Sequence, residues 1–145
     1  MTSFEVDFPI RFEHCDVAGI VFYPRYFLMF NQIVEDWFAG PLQTPWAALH
    51  FEEKRGTPLV DIRVHFQRAS RMGDVLRLSM QVLKLGRSAV DLAITGSCNG
   101  ETRLEAKLTV VYTDLEKLKS ARIPEQLARR MVPFMVEADM PATVP

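Results

Sequence analysis

A chain of 145 residues, 48% hydrophobic and 24% charged, is long enough for one domain with a real core and too short for two. Its formal net charge of −1 gives no basic surplus of the kind that marks nucleic acid as the main partner, and leaves room only for a local phosphate-binding patch. No apolar run is long enough to span a bilayer, which excludes a membrane-spanning helix, and the N-terminus MTSFEVDF lacks the basic-then-apolar pattern of a signal peptide.

In chain order, the first element is a strand. Phe4, Val6, Phe8, Ile10 and Phe12 alternate with Glu5, Asp7, Pro9, Arg11 and Glu13, giving one apolar and one wet face, and Pro9 places the strand at an edge or a bulge. A short loop containing Cys15, Asp16 and Gly19 then leads to an apolar helix over Pro24 to Phe38, with proline at the first helical position. Tyr26, Phe27, Met29, Phe30, Ile33, Val34, Trp37 and Phe38 cover most of its circumference. Only Arg25, Gln32 and Asp36 form a polar stripe, flanked by Asn31 and Glu35, so the helix is expected to be buried nearly all round. Gly40-Pro41 ends it, residues 43–55 hold a second short helix, and RGTP at 55–58 leads back to the sheet.

Four more alternating runs follow: Val60–Phe66, Leu76–Val82, Val90–Ile94 and Leu104–Tyr112. Gly73-Asp74, Gly86-Arg87 and Asn99-Gly100 punctuate the joins, and the short links predict a meander of these four strands. A terminal helix is expected from Glu125 to Val136, after Pro124. Residues 1–138 form the domain, with 139–145, ending in PATVP, as a short tail. Cys15 and Cys98 stand far apart in no metal-like spacing, so they read as reduced thiols of a cytoplasmic protein.

One strand, one central apolar helix and four further strands describe an α+β hotdog fold: an antiparallel five-stranded sheet wrapped around the helix. Such a sheet leaves open edges and apolar surface, and pairing of two subunits is the natural remedy. The expected assembly is therefore a homo-oligomer, a dimer at least.

The helix mouth carries the chemistry. The first turn of a helix has unpartnered N–H groups and a partial positive charge. Before Pro24 stand Ala18, Gly19, Ile20, Val21, Phe22 and Tyr23, none with a capping side chain, so these donors are expected to be free for a ligand oxygen. Asp16, a few residues upstream, could stand over a carbonyl held there.

The run HCDVAGIVFYPRYF resembles the signature of the 4-hydroxybenzoyl-CoA thioesterase family of hotdog enzymes, and the likeness continues through GTPLV at 56–60 and FQRASRMGDVL at 66–76. The resemblance implies hydrolysis of an acyl-CoA thioester by a dimer or dimer of dimers. Coenzyme A is then part of the substrate, and no separate cofactor or metal is called for. The resemblance makes Asp16 the nucleophile or general base and gives the thioester oxygen to the Tyr23 N–H. It places Gly19, Phe22, Asn31, Trp46 and Thr57 around the substrate and, more thinly, Arg87 and Ser88 at the nucleotide phosphates. At the position of Asn31 the family carries an aspartate, so an amide here replaces a charge. Phe22, Tyr26, Phe27 and Trp46 could build a flat apolar pocket, which favours an aromatic or short acyl group.

Rival readings are weaker. Glu35 lies roughly 18 Å along the helix axis from Pro24, too far to reach a carbonyl at the mouth of its own chain. His14 with Asp16 mimics a metal pair, but His50 and His65 stand in unrelated segments. Cys15 has no evident base. A non-catalytic acyl-CoA binding or sensing module is the alternative function, since it would not require Asp16. A hotdog dehydratase would need a histidine and an acid placed together.

Overall fold

The computed structural model describes residues 2–136. The elements are β1 (Phe4–Pro9), α1 (Pro24–Ala39), α2 (Trp46–Phe51), β2 (Arg55–Gly56), β3 (Leu59–Phe66), β4 (Val75–Leu85), β5 (Ala89–Cys98), β6 (Glu101–Val111), β7 (Thr113–Asp114), β8 (Lys119–Ser120) and α3 (Glu125–Met131), with single 3-10 turns at Phe12–His14 and Val132–Phe134. The last of these replaces the end of the expected terminal helix, because Pro133 cannot supply a helical N–H there. The expected tail and its boundary at 138 lie outside the described residues.

The main sheet is antiparallel with strand order β1-β4-β5-β6-β3, and β2, β7 and β8 form a small second sheet. Only β4, β5 and β6 make a meander. The expected hairpin between β3 and β4 does not exist: β3 pairs with β6, so loop 67–74 crosses the end of the sheet to reach β4. Period-two alternation says which face a residue takes and is silent about the neighbour its strand chooses.

The alternation itself is realised in full on the central strands. Leu76, Leu78, Met80 and Val82 face Val90, Leu92 and Ile94, and these face Leu104, Ala106, Leu108 and Val110, all within 5% of complete burial. They close over Phe30, Ile33, Trp37 and Phe38 of α1. At about 1.5–3 kcal/mol for each buried large side chain, this interdigitated layer dominates the stability.

Three expectations about burial change. β1 stops at Pro9, and Phe12 falls in the following 3-10 turn, 82% exposed rather than on the core face. The helix α1 buries Tyr26, Met29, Phe30, Ile33, Val34, Trp37 and Phe38. Arg25, Leu28, Asn31, Gln32, Glu35 and Asp36 form an exposed stripe, so one face stays open in the single chain. On β3, at a sheet edge, Leu59, Val60 and Phe66 are exposed despite the alternation. Among the described residues no helix is long and apolar enough to cross a membrane.

Candidate active site at the mouth of the central helix

Residues 14–22 fold into a tight hairpin. Asp16 N–H donates to the Ile20 carbonyl at 3.0 Å, Gly19 N–H to the Asp16 carbonyl at 3.0 Å, and Phe22 N–H to the His14 carbonyl at 2.9 Å. Gly19 closes the turn at φ +79°, a left-handed conformation that suits glycine. The hairpin is docked onto loop 67–74, where Val21 N–H donates to the Ser70 carbonyl at 2.9 Å and Ile20 bridges to Arg71. Three residues after Val21 the chain enters α1. Asp16 and the helix mouth are thus built from one continuous, hydrogen-bonded segment.

Asp16 is exposed in the single chain, and its Oδ1 accepts the Ala18 N–H at 2.9 Å. This is the Asx turn often found at loop aspartates, and it orients the carboxylate. Among the described residues its Oδ2 has no hydrogen-bond partner.

The helix mouth differs from the sequence expectation in one respect. Instead of several free donors it offers a single one. Pro24 has no N–H, Arg25 N–H donates to the Phe22 carbonyl at 2.9 Å, and Tyr26 N–H donates to the Tyr23 carbonyl at 3.1 Å. A tight turn thus satisfies the groups that a capping side chain would otherwise take. The Tyr23 N–H is left, with no side-chain cap and no acceptor among the described residues.

From Tyr23, one face of the helix runs through Phe27 and Asn31 at four-residue steps. Those two residues open onto a largely apolar cavity of about 320 Å³. Trp46 and Thr57 form its far wall with Ile62 and Leu108, so the structure brings Asn31, Trp46 and Thr57 together. The Trp46 Nε1 and Thr57 Oγ1 atoms are buried there without hydrogen-bond partners among the described residues.

Not all expected residues converge. Phe22 is 46% exposed and stacks edge-on with Tyr23, its ring centroid 5.6 Å away, instead of lining the cavity. Tyr26 faces the opposite side of the mouth, against Phe66, because it is one residue short of the Phe27 direction. Arg87 and Ser88 lie in the β4–β5 turn, at the end of the sheet opposite to Asp16. The eleven residues of β4, at roughly 3.3 Å each, separate the two ends. Within one chain, therefore, the expected phosphate residues do not meet the carboxylate.

Two residues stand where the sequence reading did not place them: His50 was set aside as lying in an unrelated segment, and Arg122 was not considered. His50 lines the cavity, its ring 5.5 Å from that of Trp46 one turn earlier on α2. The i, i+4 spacing from Trp46 was the available signal. Arg122 shares a cleft with Arg87, their two segments tied by Ile123 N–H donating to the Arg87 carbonyl at 2.8 Å. No group of three or more metal-ligating side chains occurs among the described residues.

The arrangement offers a carbonyl oxygen one backbone donor at the positive end of a helix, with an oriented carboxylate on the hairpin that leads into it and an apolar cavity further along the helix. Comparison with known proteins gives the fold and the family. Solved structures with the same fold include a thioesterase superfamily protein from Jannaschia sp. CCS1, with TM-score 0.86, 21% identity, and 94% of this chain and 95% of that chain covered. They also include a 1,4-dihydroxy-2-naphthoyl-CoA thioesterase from Synechocystis, with TM-score 0.82, 17% identity, and 97% and 100% covered. A third is a gentisyl-coenzyme A thioesterase, with TM-score 0.80, 20% identity, and 88% and 98% covered. No curated protein matches this sequence. The model of the thioesterase-like superfamily matches residues 10–131, across the hairpin, the helix and strands β3 to β6 of the main sheet, and the chain belongs to that superfamily.

Proposed function

We propose that this protein hydrolyses the thioester of an acyl-CoA to a free acid and coenzyme A. The observation that carries the reading is the Tyr23 N–H at the mouth of α1, which has no acceptor among the described residues and stands four residues before Phe27, a residue of the cavity wall. In the proposed complex the thioester carbonyl accepts that hydrogen bond. The acyl group enters the cavity beside Phe27, Asn31, Trp46 and Thr57. As the carbonyl carbon becomes tetrahedral, negative charge grows on the oxygen. The N–H and the positive helix end then stabilise the transition state more than the ground state, by about 3 kcal/mol.

Asp16 supplies the other half. Its carboxylate attacks the carbonyl carbon, expelling the thiolate and leaving a mixed anhydride that water cleaves, or it removes a proton from water that attacks directly. In both routes the C–S bond breaks, an oxygen from water ends in the acid, and the thiolate takes up the proton. The Asx turn through Ala18 orients the carboxylate in advance, which lowers the entropic part of the barrier.

An aromatic or short acyl group fits a cavity of this volume walled by Phe27, Phe30 and Trp46. A second copy of the chain fits the exposed apolar residues of β3 and the open stripe of α1. An antiparallel edge pairing would bring the partner's opposite sheet end toward this helix mouth, which accounts for phosphate-binding arginines so far from Asp16 in one chain. The test is a panel of aromatic and straight-chain acyl-CoA esters with thiol release as the readout. Turnover of a small aromatic ester supports the proposal. Tight binding of esters without turnover of any of them would replace it with a binding module.

A further inference from the structure

Ser70 is a fully buried polar residue with no part in the steps just described. Three elements meet on it. Its carbonyl accepts the Val21 N–H at 2.9 Å, which holds the returning arm of the Asp16 hairpin. Its hydroxyl oxygen accepts from Arg103 Nη1 at 3.1 Å, and Arg103 belongs to β6. Tyr26, in the first turn of α1, stands beside it: Tyr26 lines one cleft with Val21 and Ala69, and burial pushes the pKa of its hydroxyl up, an effect that Ser70 partly offsets.

Arg103 is itself firmly held. Its Nη1 also donates to the Ala69 carbonyl at 3.0 Å and to Asp74 Oδ2 at 2.9 Å, and its side chain is only 12% exposed. Asp74 in turn accepts the Arg71 N–H at 2.9 Å through its carboxylate and the Ile10 N–H at 2.8 Å through its carbonyl. Charge-assisted bonds of this kind are the strong ones, and a forked guanidinium fixes direction as well as distance.

We infer that Ser70, clamped by Arg103, is a positioning residue of the active site. It ties the hairpin that carries Asp16 and the helix turn that begins at Tyr23 to one point on the sheet. The distance between carboxylate and N–H donor is then set by the core and not by a surface loop. The inference rests on the hydrolase reading for its catalytic consequence, though the mechanical link stands apart from it. A displacement of about 1 Å between reacting groups can cost on the order of 100-fold in rate.

The experiment compares wild type with Ser70→Ala, Tyr26→Phe and the double variant, by amide hydrogen exchange and by steady-state kinetics. Exchange in residues 14–23 should rise about tenfold in Ser70→Ala, the scale of one lost charge-assisted bond, while β5 amides keep their wild-type protection. Turnover should fall about tenfold with KM changed less than about threefold, and the double variant should lose no more than the worse single one, because both act through one junction. If Ser70→Ala also loosens β5, Tyr26→Phe, which removes a single hydroxyl, decides by the same exchange readout. Unchanged exchange of 14–23 in the deciding variant, or turnover losses that multiply in the double variant, would overturn the inference. Wild type inactive on every ester would sink the hydrolase reading alone, and the exchange data would still decide the junction.

Discussion

Substitutions at Gly19 separate the cost of a backbone conformation from the cost of crowding. The residue sits at φ +79°, and a Cβ built on it meets nothing within 4 Å. Alanine therefore brings no clash, and its whole penalty is the left-handed conformation, about 1–2 kcal/mol. Asparagine tolerates that region better and should cost less, while the branched side chain of valine should cost more than alanine. In a domain of this size 1 kcal/mol lowers the melting temperature by roughly 3–5 °C. The predicted order of thermal stability is Gly19, then Gly19→Asn, Gly19→Ala and Gly19→Val. Because the hairpin carries Asp16, turnover should fall in the same order. Thermal unfolding and thioester hydrolysis measured on the four proteins check this. Gly19→Val as stable as wild type, or Gly19→Asn the least stable of the set, would refute the claim that a left-handed turn shapes the site.

At Gly56 the penalty is of the other kind. A Cβ there would lie 3.1 Å from Leu115 Cδ2 and 3.3 Å from both Cδ2 and Nε2 of His50, so Gly56→Ala should push His50 toward the cavity. The expected result is a cost of about 1 kcal/mol in stability and a several-fold rise in KM for aromatic esters, with little change in turnover. Acid should destabilise the fold in a definite window. Hydrogen bonds from Arg77 hold the Asp7 carboxyl below its ordinary value of 3.8, the Arg71 backbone N–H and the Arg103 side chain do so for Asp74, and the backbone N–H groups of Lys117 and Glu116 do so for Asp114. A lowered folded-state value means that the unfolded chain binds the proton first. This stability is therefore complete well above pH 3.8 and is lost as the pH falls through that value toward the lower ones. Chemical denaturation should show a plateau from about pH 5 to 7 and a fall below about pH 4; a midpoint unchanged down to pH 2 would contradict these pairings.

How much of this was legible before any coordinates follows from the physics of each element. Strands β4, β5 and β6 declare themselves because one sheet face is buried and the other wet, so a period of two survives in the sequence. The place of β3 was not legible, because alternation carries no information about pairing, and loop 67–74 is long enough either to turn back or to cross the end of the sheet. Phe12 continued the alternation past Pro9, yet the chain leaves the sheet there, and position parity means nothing in a 3-10 turn. At the site, Asp16, Gly19 and Tyr23 stood out through a specific motif, and the bare helix entrance followed from the lack of a capping residue. The number of free donors did not follow, since carbonyls of the preceding turn can satisfy amides without leaving a mark in composition. Phe22 was placed around the substrate by the resemblance and by its apolar ring, yet in the single chain it lies exposed and outside the cavity, which an apolar side chain alone does not foretell. His50 was set aside as lying in an unrelated segment, although its i, i+4 spacing from Trp46 on the six-residue α2 turns it to the same cavity.

The central claim is that Asp16 acts on a carbonyl held by the Tyr23 amide, and its most direct test is hydrolysis of acyl-CoA esters by Asp16→Asn beside wild type. The substitution keeps the size of the side chain and an oxygen able to accept the Ala18 N–H, so the hairpin and the melting temperature should be preserved. Loss of the carboxylate should lower turnover by about 100-fold or more on every ester that wild type cleaves. A folded Asp16→Asn that hydrolyses those esters at the wild-type rate would contradict the account.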